Sequence, residues 1–332
     1  MAISKRHFGT LPDGAPVYAW TLVNNRGLQA EVLDYGVIIR SVTVPDRKGR
    51  PVDVVLGFDA LEDYLTDRSY LGATIGRCAN RIKDASFTLD GKTYALSTTF
   101  GPYHLHGGKV GFNKRLWTAV QVDETVVFSR TSADGEEGYP GNLHVQVTVS
   151  WQGDSLVLQY EARTDQTTVV NFTNHSYFNL NGAGNGNVHR HLLQINADQY
   201  TPTGPDGFPT GEMAPVEGTA MDFRTAKPIG RDLKFFGGYD TNFVLKDHPV
   251  ARAVGDKTGI TMVTNTDQPG MQLYTAPPMI GRRGKDGKKY GHHGAFCLET
   301  QHHPDSIHHP QWPTCILQPG ETFRSFTSYT FL

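Results

Sequence analysis

Leu143-His-Val-Gln-Val-Thr-Val-Ser-Trp151 is the stretch on which the fold turns: Leu143, Val145, Val147, Val149 and Trp151 alternate with His144, Gln146, Thr148 and Ser150. A period of two puts all the apolar side chains on one face of an extended strand, where they can be buried while the polar set faces water. Gln152-Gly153-Asp154 follows as a turn, and Leu156, Leu158, Tyr160 and Ala162 continue an apolar face, so the two runs predict an antiparallel hairpin. A second hairpin is expected over residues 87–96, where Asp90-Gly91 separates two β-prone runs; a type I′ turn needs positive φ at both central residues, which this pair tolerates. The best helix is short, with Asp59 capping residues 60–65 and Glu62 completing a capping box. Long amphipathic helices and a β-α-β rhythm are missing, so the expected fold class is all-β, a large antiparallel β-sandwich.

Composition narrows the function. Gly (36) and Pro (19) are spread along all 332 residues without a linker or low-complexity stretch, which predicts a single domain over 1–332. Lys plus Arg (31) nearly balance Asp plus Glu (33), and the net charge of −2 supplies no field for nucleic acid or an anionic membrane. A small neutral partner fits better. The N-terminal residues lack the apolar region of a secretory signal, and no apolar run is long enough for a membrane span, so the expected location is the cytoplasm. Cys78, Cys297 and Cys315 are odd in number and far apart, which predicts free buried thiols and neither disulfides nor structural zinc. The glycine-rich stretches 182–187 and 281–288 lack dinucleotide and P-loop spacing and read as turns.

Four segments carry polar chemistry. In 171–180, a strand would put Asn171, Thr173, His175, Tyr177 and Asn179 on one face, with Phe172, Phe178 and Leu180 on the other. That face either lines a wet cleft or is an ordinary exposed sheet face. In 296–301, Glu299 shares a face with Cys297 while Phe296 and Leu298 point the other way; such a carboxylate is either paired or held partly desolvated for proton transfer. His104-Leu-His106-Gly107-Gly108 places histidine before glycines that allow backbone or ligand to approach closely. Asn80-Arg81, ending the segment 72–82, could donate several hydrogen bonds to hydroxyl oxygens, or Arg81 could make a local surface pair.

Taken together, and with Leu56-Gly-Phe-Asp59, Gly135-Glu-Glu-Gly-Tyr-Pro-Gly141, Pro209-Thr-Gly211, Gly238-Tyr-Asp240 and Pro269-Gly-Met-Gln272, these segments resemble the aldose 1-epimerase (galactose mutarotase) family in order and spacing along nearly the whole chain. The resemblance implies the galactose mutarotase-like supersandwich, with a sugar held in a cleft across one sheet. It implies that Glu299 is the general base toward the anomeric O1 hydroxyl, that His175 is the general acid toward the ring oxygen O5, and that His106 assists near the ring oxygen or C6 hydroxyl. Asn80, Arg81, Tyr177, Asp240 and Gln272 match positions that bind sugar hydroxyls, Asp240 as an acceptor for two neighbouring hydroxyls. The substrate would be a free hexose such as D-galactose or D-glucose, with no cofactor and no metal, on a monomer or homodimer. In this picture Glu299 starts ionised, and a nearby carboxylate keeps His175 protonated.

The chain departs from the family pattern in two places. Ala276-Pro277-Pro278 replaces the Asn usual after Tyr-Thr and stiffens that loop, and His302-His303 and His308-His309 enrich another loop in histidine. The histidines read as a solvated loop in preference to a metal site. Other functions on the same residues are a glycoside hydrolase using Asp240 and Glu299, a sugar-phosphate 1-epimerase, and a non-catalytic sugar-binding protein. Retention of both His175 and Glu299 argues against the binder, and the lack of a basic cluster near the matched positions argues against the sugar phosphate.

Overall fold

The computed structural model describes residues 2–99, 101–277 and 283–332. Leu143–Gln152 and Ser155–Thr164 pair antiparallel from end to end around Gly153-Asp154, with Leu143 opposite Thr164 and Gln152 opposite Ser155. This hairpin lies inside a nine-stranded antiparallel sheet. Thr125–Ser132 and then Thr118–Val122 extend it on one side; Phe323–Phe331, Thr261–Thr266, Ala251–Val254, Leu192–Ile195 and Lys227–Pro228 extend it on the other. The Asp90-Gly91 hairpin forms as well, between Ser86–Leu89 and Lys92–Ala95, with φ of 50° and 75° at its two turn residues.

Two five-stranded sheets pack on this frame. One is the N-terminal meander of Ala2–Thr10, Pro16–Val23, Gln29–Leu33, Ile38–Pro45 and Pro51–Asp53. The other runs, in spatial order, Ala214–Pro215, Gln199–Thr201, Asp240–Val244, Gly270–Thr275 and Phe296–Gln301. The apolar sides of all three sheets meet in one core: Val145, Val147, Val149 and Leu158 of the large sheet contact a cluster that includes Val32, Val42, Phe243, Met271, Leu273, Phe296 and Leu298. Burying side chains of this size contributes about 1.5–3 kcal/mol each. Their partners in the alternation, Gln272 and Glu299 among them, are thereby turned to the opposite face of the third sheet. The free thiols Cys78, Cys297 and Cys315 are all buried.

Two local expectations are corrected. The helix forms at Leu61–Thr66, but Ala60 is its N-cap and no side chain caps it. Asp59 is taken elsewhere: Oδ1 accepts from Arg40 at 3.0 Å and Oδ2 from the Asp286 N–H at 2.8 Å, so a long-range ion pair displaces the local cap. The segment 171–180 is not one regular strand. Only Thr173–Asn174 pairs in a ladder, with Ile75 and Thr74, and Phe178 makes single bridges to Val55 and Phe296. Both of its sides are buried, because it threads between layers: Phe172, Phe178 and Leu180 join the main core, and Tyr177 joins a second cluster with Cys297 and Tyr290.

Candidate active site

Cross-strand register assembles the floor of the site. Asn242 lies opposite Gln272, and Gln272 opposite Glu299; two residues along, on the same face, Asp240 lies opposite Tyr274, and Tyr274 opposite Cys297. Directly paired residues share a sheet face with Cβ atoms about 5 Å apart, so these side chains form a polar patch. Glu299 is 2% exposed, and its Oε2 has no partner among the described residues; neither has the buried Oε1 of Gln272. Gln272 Nε2 donates to Asp240 Oδ1 at 2.6 Å, and Arg81 Nη2 to Asp240 Oδ2 at 3.3 Å. Each oxygen of Asp240 thus already holds one protein donor, and the half-exposed carboxylate stands at the rim with its remaining lone pairs outward.

The second wall comes from loops. His175 Nε2 lies 3.6 Å from Glu299 Oε1, and the buried imidazole stacks on Tyr177 with centroids 4.9 Å apart and planes at 11°. His106 meets His175 edge-on at 5.3 Å. Asn80 and His106 bind each other reciprocally: the Asn80 N–H donates to His106 Nδ1 at 3.1 Å, and the His106 N–H to the Asn80 carbonyl at 3.0 Å. Asn80 Oδ1 in turn accepts the Arg81 N–H at 3.0 Å. One chain of contacts therefore joins His106, Asn80, Arg81, Asp240 and Gln272, and register carries it on to Glu299, His175 and Tyr177. Asn80 (φ 61°) and His106 (φ 50°) are non-glycine residues in the left-handed region, as is the neighbouring Tyr70 (φ 56°). Such outliers cost about 1–3 kcal/mol and gather where geometry is held for function. The glycine after His106 serves the backbone: a Cβ at Gly107 (φ 83°) would sit 1.8 Å from the Gly76 carbonyl oxygen.

Burial sets the electrostatics. It raises the Glu299 carboxyl well above the usual carboxylate range, with Asp240 adding to the rise and Arg81 opposing it. It also pushes His175 down to about 4, despite the help of Asp240. The expectation of a simply ionised Glu299 beside a protonated His175 is therefore corrected, because a dry site penalises charge on either member. His106 is held neutral by burial and by the neighbouring His175. Its Nδ1 accepts from Asn80, so its ring proton resides on Nε2. Ligand-capable atoms of His106, His175 and Glu299 lie within 4.8 Å of one another. A metal would need a bare nitrogen where His106 carries that proton, so the trio suits a sugar oxygen better than a cation.

The expectation of a solvated histidine-rich loop is corrected for its first half only: residues 303–306 are buried, whereas His308 is exposed and His302 and His309 are half-buried. His303 is 1% exposed and accepts from Asn242 Nδ2 at 3.0 Å, and Asp305 is 4% exposed and pairs with His308 Nδ1 at 2.7 Å. The Asp305 N–H donates to the Arg81 carbonyl at 3.1 Å, so the loop braces the segment that carries Asn80 and Arg81. Polar residues bury when partners are supplied from elsewhere in the chain, which local sequence does not reveal. Ala276 is buried and Pro277 exposed, while Pro278 lies outside the described residues. Sequence reasoning overlooked Tyr274 and Tyr70. Tyr274 was within reach, being two residues from Gln272 in a strand; Tyr70 carries no local signal beyond the turn-forming Asp67-Arg68-Ser69 before it.

Comparison with known proteins adds three findings. A family model described as Aldose 1-epimerase matches residues 18–330. The galactose mutarotase of Sus scrofa is 43% identical over 338 aligned positions, covering 100% of this chain and 99% of that protein; the aldose 1-epimerase of Escherichia coli (strain K12) is 37% identical, covering 97% of each. Among solved structures, the GalM/aldose epimerase homologue from C. elegans superposes with a TM-score of 0.88 at 32% identity, covering 94% of this chain and 98% of its own.

Proposed function

The chain belongs to the aldose 1-epimerase family, whose members isomerise sugars, and on that premise we propose that it interconverts the α and β anomers of free hexoses such as D-galactose and D-glucose through Glu299 and His175. With the single proton that the pair shares placed on His175, Glu299 takes the proton from the anomeric O1 hydroxyl while His175 gives its own to the ring oxygen O5. The C1–O5 bond breaks, and O1 becomes the carbonyl of the open-chain aldehyde. Rotation about C1–C2 presents the other carbonyl face, and reclosure returns both protons with the roles reversed. His106 Nε2–H donates to a sugar oxygen near C6 or the ring, and Asn80, Arg81, Tyr177, Asp240 and Gln272 hold the remaining hydroxyls. The observation that carries this reading is the buried His175–Glu299 pair, 3.6 Å apart beside a sheet face that also presents Gln272 and, at its rim, the Asp240–Arg81 pair. Positioned acid and base groups typically contribute about 10²- to 10⁴-fold each.

The pair carries one proton before and after each turnover, and burial favours that state. A second proton gives the buried pair a net charge of +1; loss of the only proton gives it −1. Desolvation opposes both, so the working state spans a wide pH range. The sign of the acid limb follows from the second proton: kcat holds through neutral pH and falls once Glu299 and His175 are both protonated, when Glu299 can no longer take the O1 proton, and burial moves that limb well below the ordinary 6.5 of an imidazole. A kcat profile already halved at pH 6.5 would contradict this.

Support for a single unit over 1–332 comes from a core cluster whose members run from Trp20 to Phe331. No helix among the described residues is long and apolar enough to cross a membrane. A cytoplasmic setting agrees with the buried free thiols, since reducing compartments keep cysteines unpaired. The deciding experiment is polarimetry of freshly dissolved α-D-galactose and α-D-glucose. We expect faster relaxation of optical rotation with the protein than without it, with no added nucleotide and with EDTA present. Loss of activity on adding EDTA would overturn the metal-free mechanism.

A further inference from the structure

Tyr70 adopts φ 56°, a conformation that a bulky residue avoids, and the surrounding chain enforces it. Asp67 accepts the Ser69 N–H on Oδ1 and the Leu71 N–H on Oδ2, both at 3.1 Å; the Ala73 N–H donates to the Tyr70 carbonyl at 3.0 Å. Tyr177, which stacks on His175, donates its hydroxyl to the Ser69 carbonyl at 2.8 Å. The turn is thereby tied to the segment that holds His175. Its result is the placement of one ring: Tyr70 lies edge-on to His106 at 4.7 Å and nearly parallel to His175, at 6.1 Å and 13°. Tyr70 also lines an open cavity together with Asp67, Arg68, Lys109 and Lys114. The ring that touches both histidines therefore also borders this cavity, whose lining includes neither of them.

We propose that Tyr70 is a positioning residue that seals the His175–Glu299 pair from the water of this neighbouring cavity and fixes the plane of the His175 ring. The proposal rests on the epimerase reading only for its catalytic consequence; the seal itself is a property of the fold. Its effect on titration has a definite sign. The groups facing His175 are Glu299, Asp240, His106, Tyr70, Tyr177 and Tyr274. Across the ring, Arg68, Lys109 and Lys114 oppose a charge on His175 and Asp67 favours one, but through water and salt these opposing effects are small beside desolvation, which moves fully buried groups by several pH units. Opening the seal should therefore raise the proton affinity of His175 and lower that of Glu299. Both limbs of the kcat profile move inward.

Tyr70→Gly is the informative change, because glycine takes positive φ without strain and removes only the ring. Tyr70→Phe keeps the ring and serves as the conservative control. We would follow the His175 imidazole by NMR titration in a Glu299→Gln background, which removes the coupled carboxylate. Tyr70→Gly should raise the titration midpoint by on the order of one pH unit or more, a tenfold or larger change in proton affinity, while Tyr70→Phe stays with the parent. With Glu299 present, Tyr70→Gly should narrow the kcat profile from both sides. A midpoint unmoved by Tyr70→Gly, or moved equally by Tyr70→Phe, overturns the proposal. Should Tyr70→Gly not fold, Tyr70→Asn, which also tolerates this backbone region, takes its place under the same criteria. A wild type inactive on free sugars would sink the epimerase reading and leave the NMR test of the seal intact.

Discussion

Glu299→Gln should lower kcat for α-D-galactose and α-D-glucose by about 10²-fold or more, and His175→Asn by a similar factor, with KM changed far less. Glutamine keeps the shape and burial of the side chain and cannot take a proton. Asparagine keeps part of the hydrogen-bonding capacity of the imidazole and cannot give one. The two act in one proton exchange, so the double variant should be far less impaired than the product of the single losses. Stopped-flow polarimetry, with the uncatalysed rate subtracted, measures all three. Either single variant with near-wild-type kcat would remove that residue from its role, and fully multiplicative losses would show that the two groups act independently.

Arg77→Met should destabilise the fold by on the order of 4 kcal/mol, more than a typical core truncation. The Arg77 guanidinium is 2% exposed and donates to the carbonyls of Ser132, Ala133, Pro140 and Gly141 at 2.8 Å, to Ser132 Oγ at 2.8 Å and to Thr168 Oγ1 at 3.3 Å. Ser132 Oγ in turn donates to Glu136, which supplies the countercharge, and the guanidinium lies 5.7 Å from the Tyr139 ring. Burial lowers Arg77 to about 10, so it stays charged at neutral pH. Methionine fills most of the volume and strands these acceptors in a dry interior, where each unsatisfied group costs about 1–3 kcal/mol. Arg77→Lys should recover only part of the loss, because an ammonium has fewer donors and no planar fork. Urea unfolding of wild type and both variants provides the measurement. Arg77→Met within about 1 kcal/mol of wild type would show that the loop carbonyls find water instead.

The Gly135–Gly141 motif thereby acquires a physical meaning. Sequence comparison places it among the family segments, yet its Pro140 and Gly141 carbonyls serve Arg77 and the framework, while Asn80 and Arg81, three and four residues further on, face the site. A motif alone does not separate residues that hold a site from residues that form it. Both kinds depend on geometry that only the folded chain supplies.

Period-two alternation was enough to identify the large sheet and its central hairpin, because each apolar residue in 143–162 is buried by a rule of strand geometry that needs no distant partner. The same rule put Cys297 and Glu299 on one face and Phe296 and Leu298 on the other, as the packing of Phe296 and Leu298 in the main core and of Cys297 in the second cluster confirms. Asp-Gly chemistry likewise dictated the turn at residues 90–91. These are local constraints, legible at a range of a few residues. The capping of the short helix, the threading of 171–180 between layers and the burial of His303 were decided by partners from distant parts of the chain: Arg40 and Asp286 for Asp59, Phe296 for Phe178, Asn242 for His303. The proton affinities of His175 and Glu299 belong to this second group. They are set by the absence of water around two side chains 124 positions apart in sequence, and exclusion of water is a property of the packed chain as a whole.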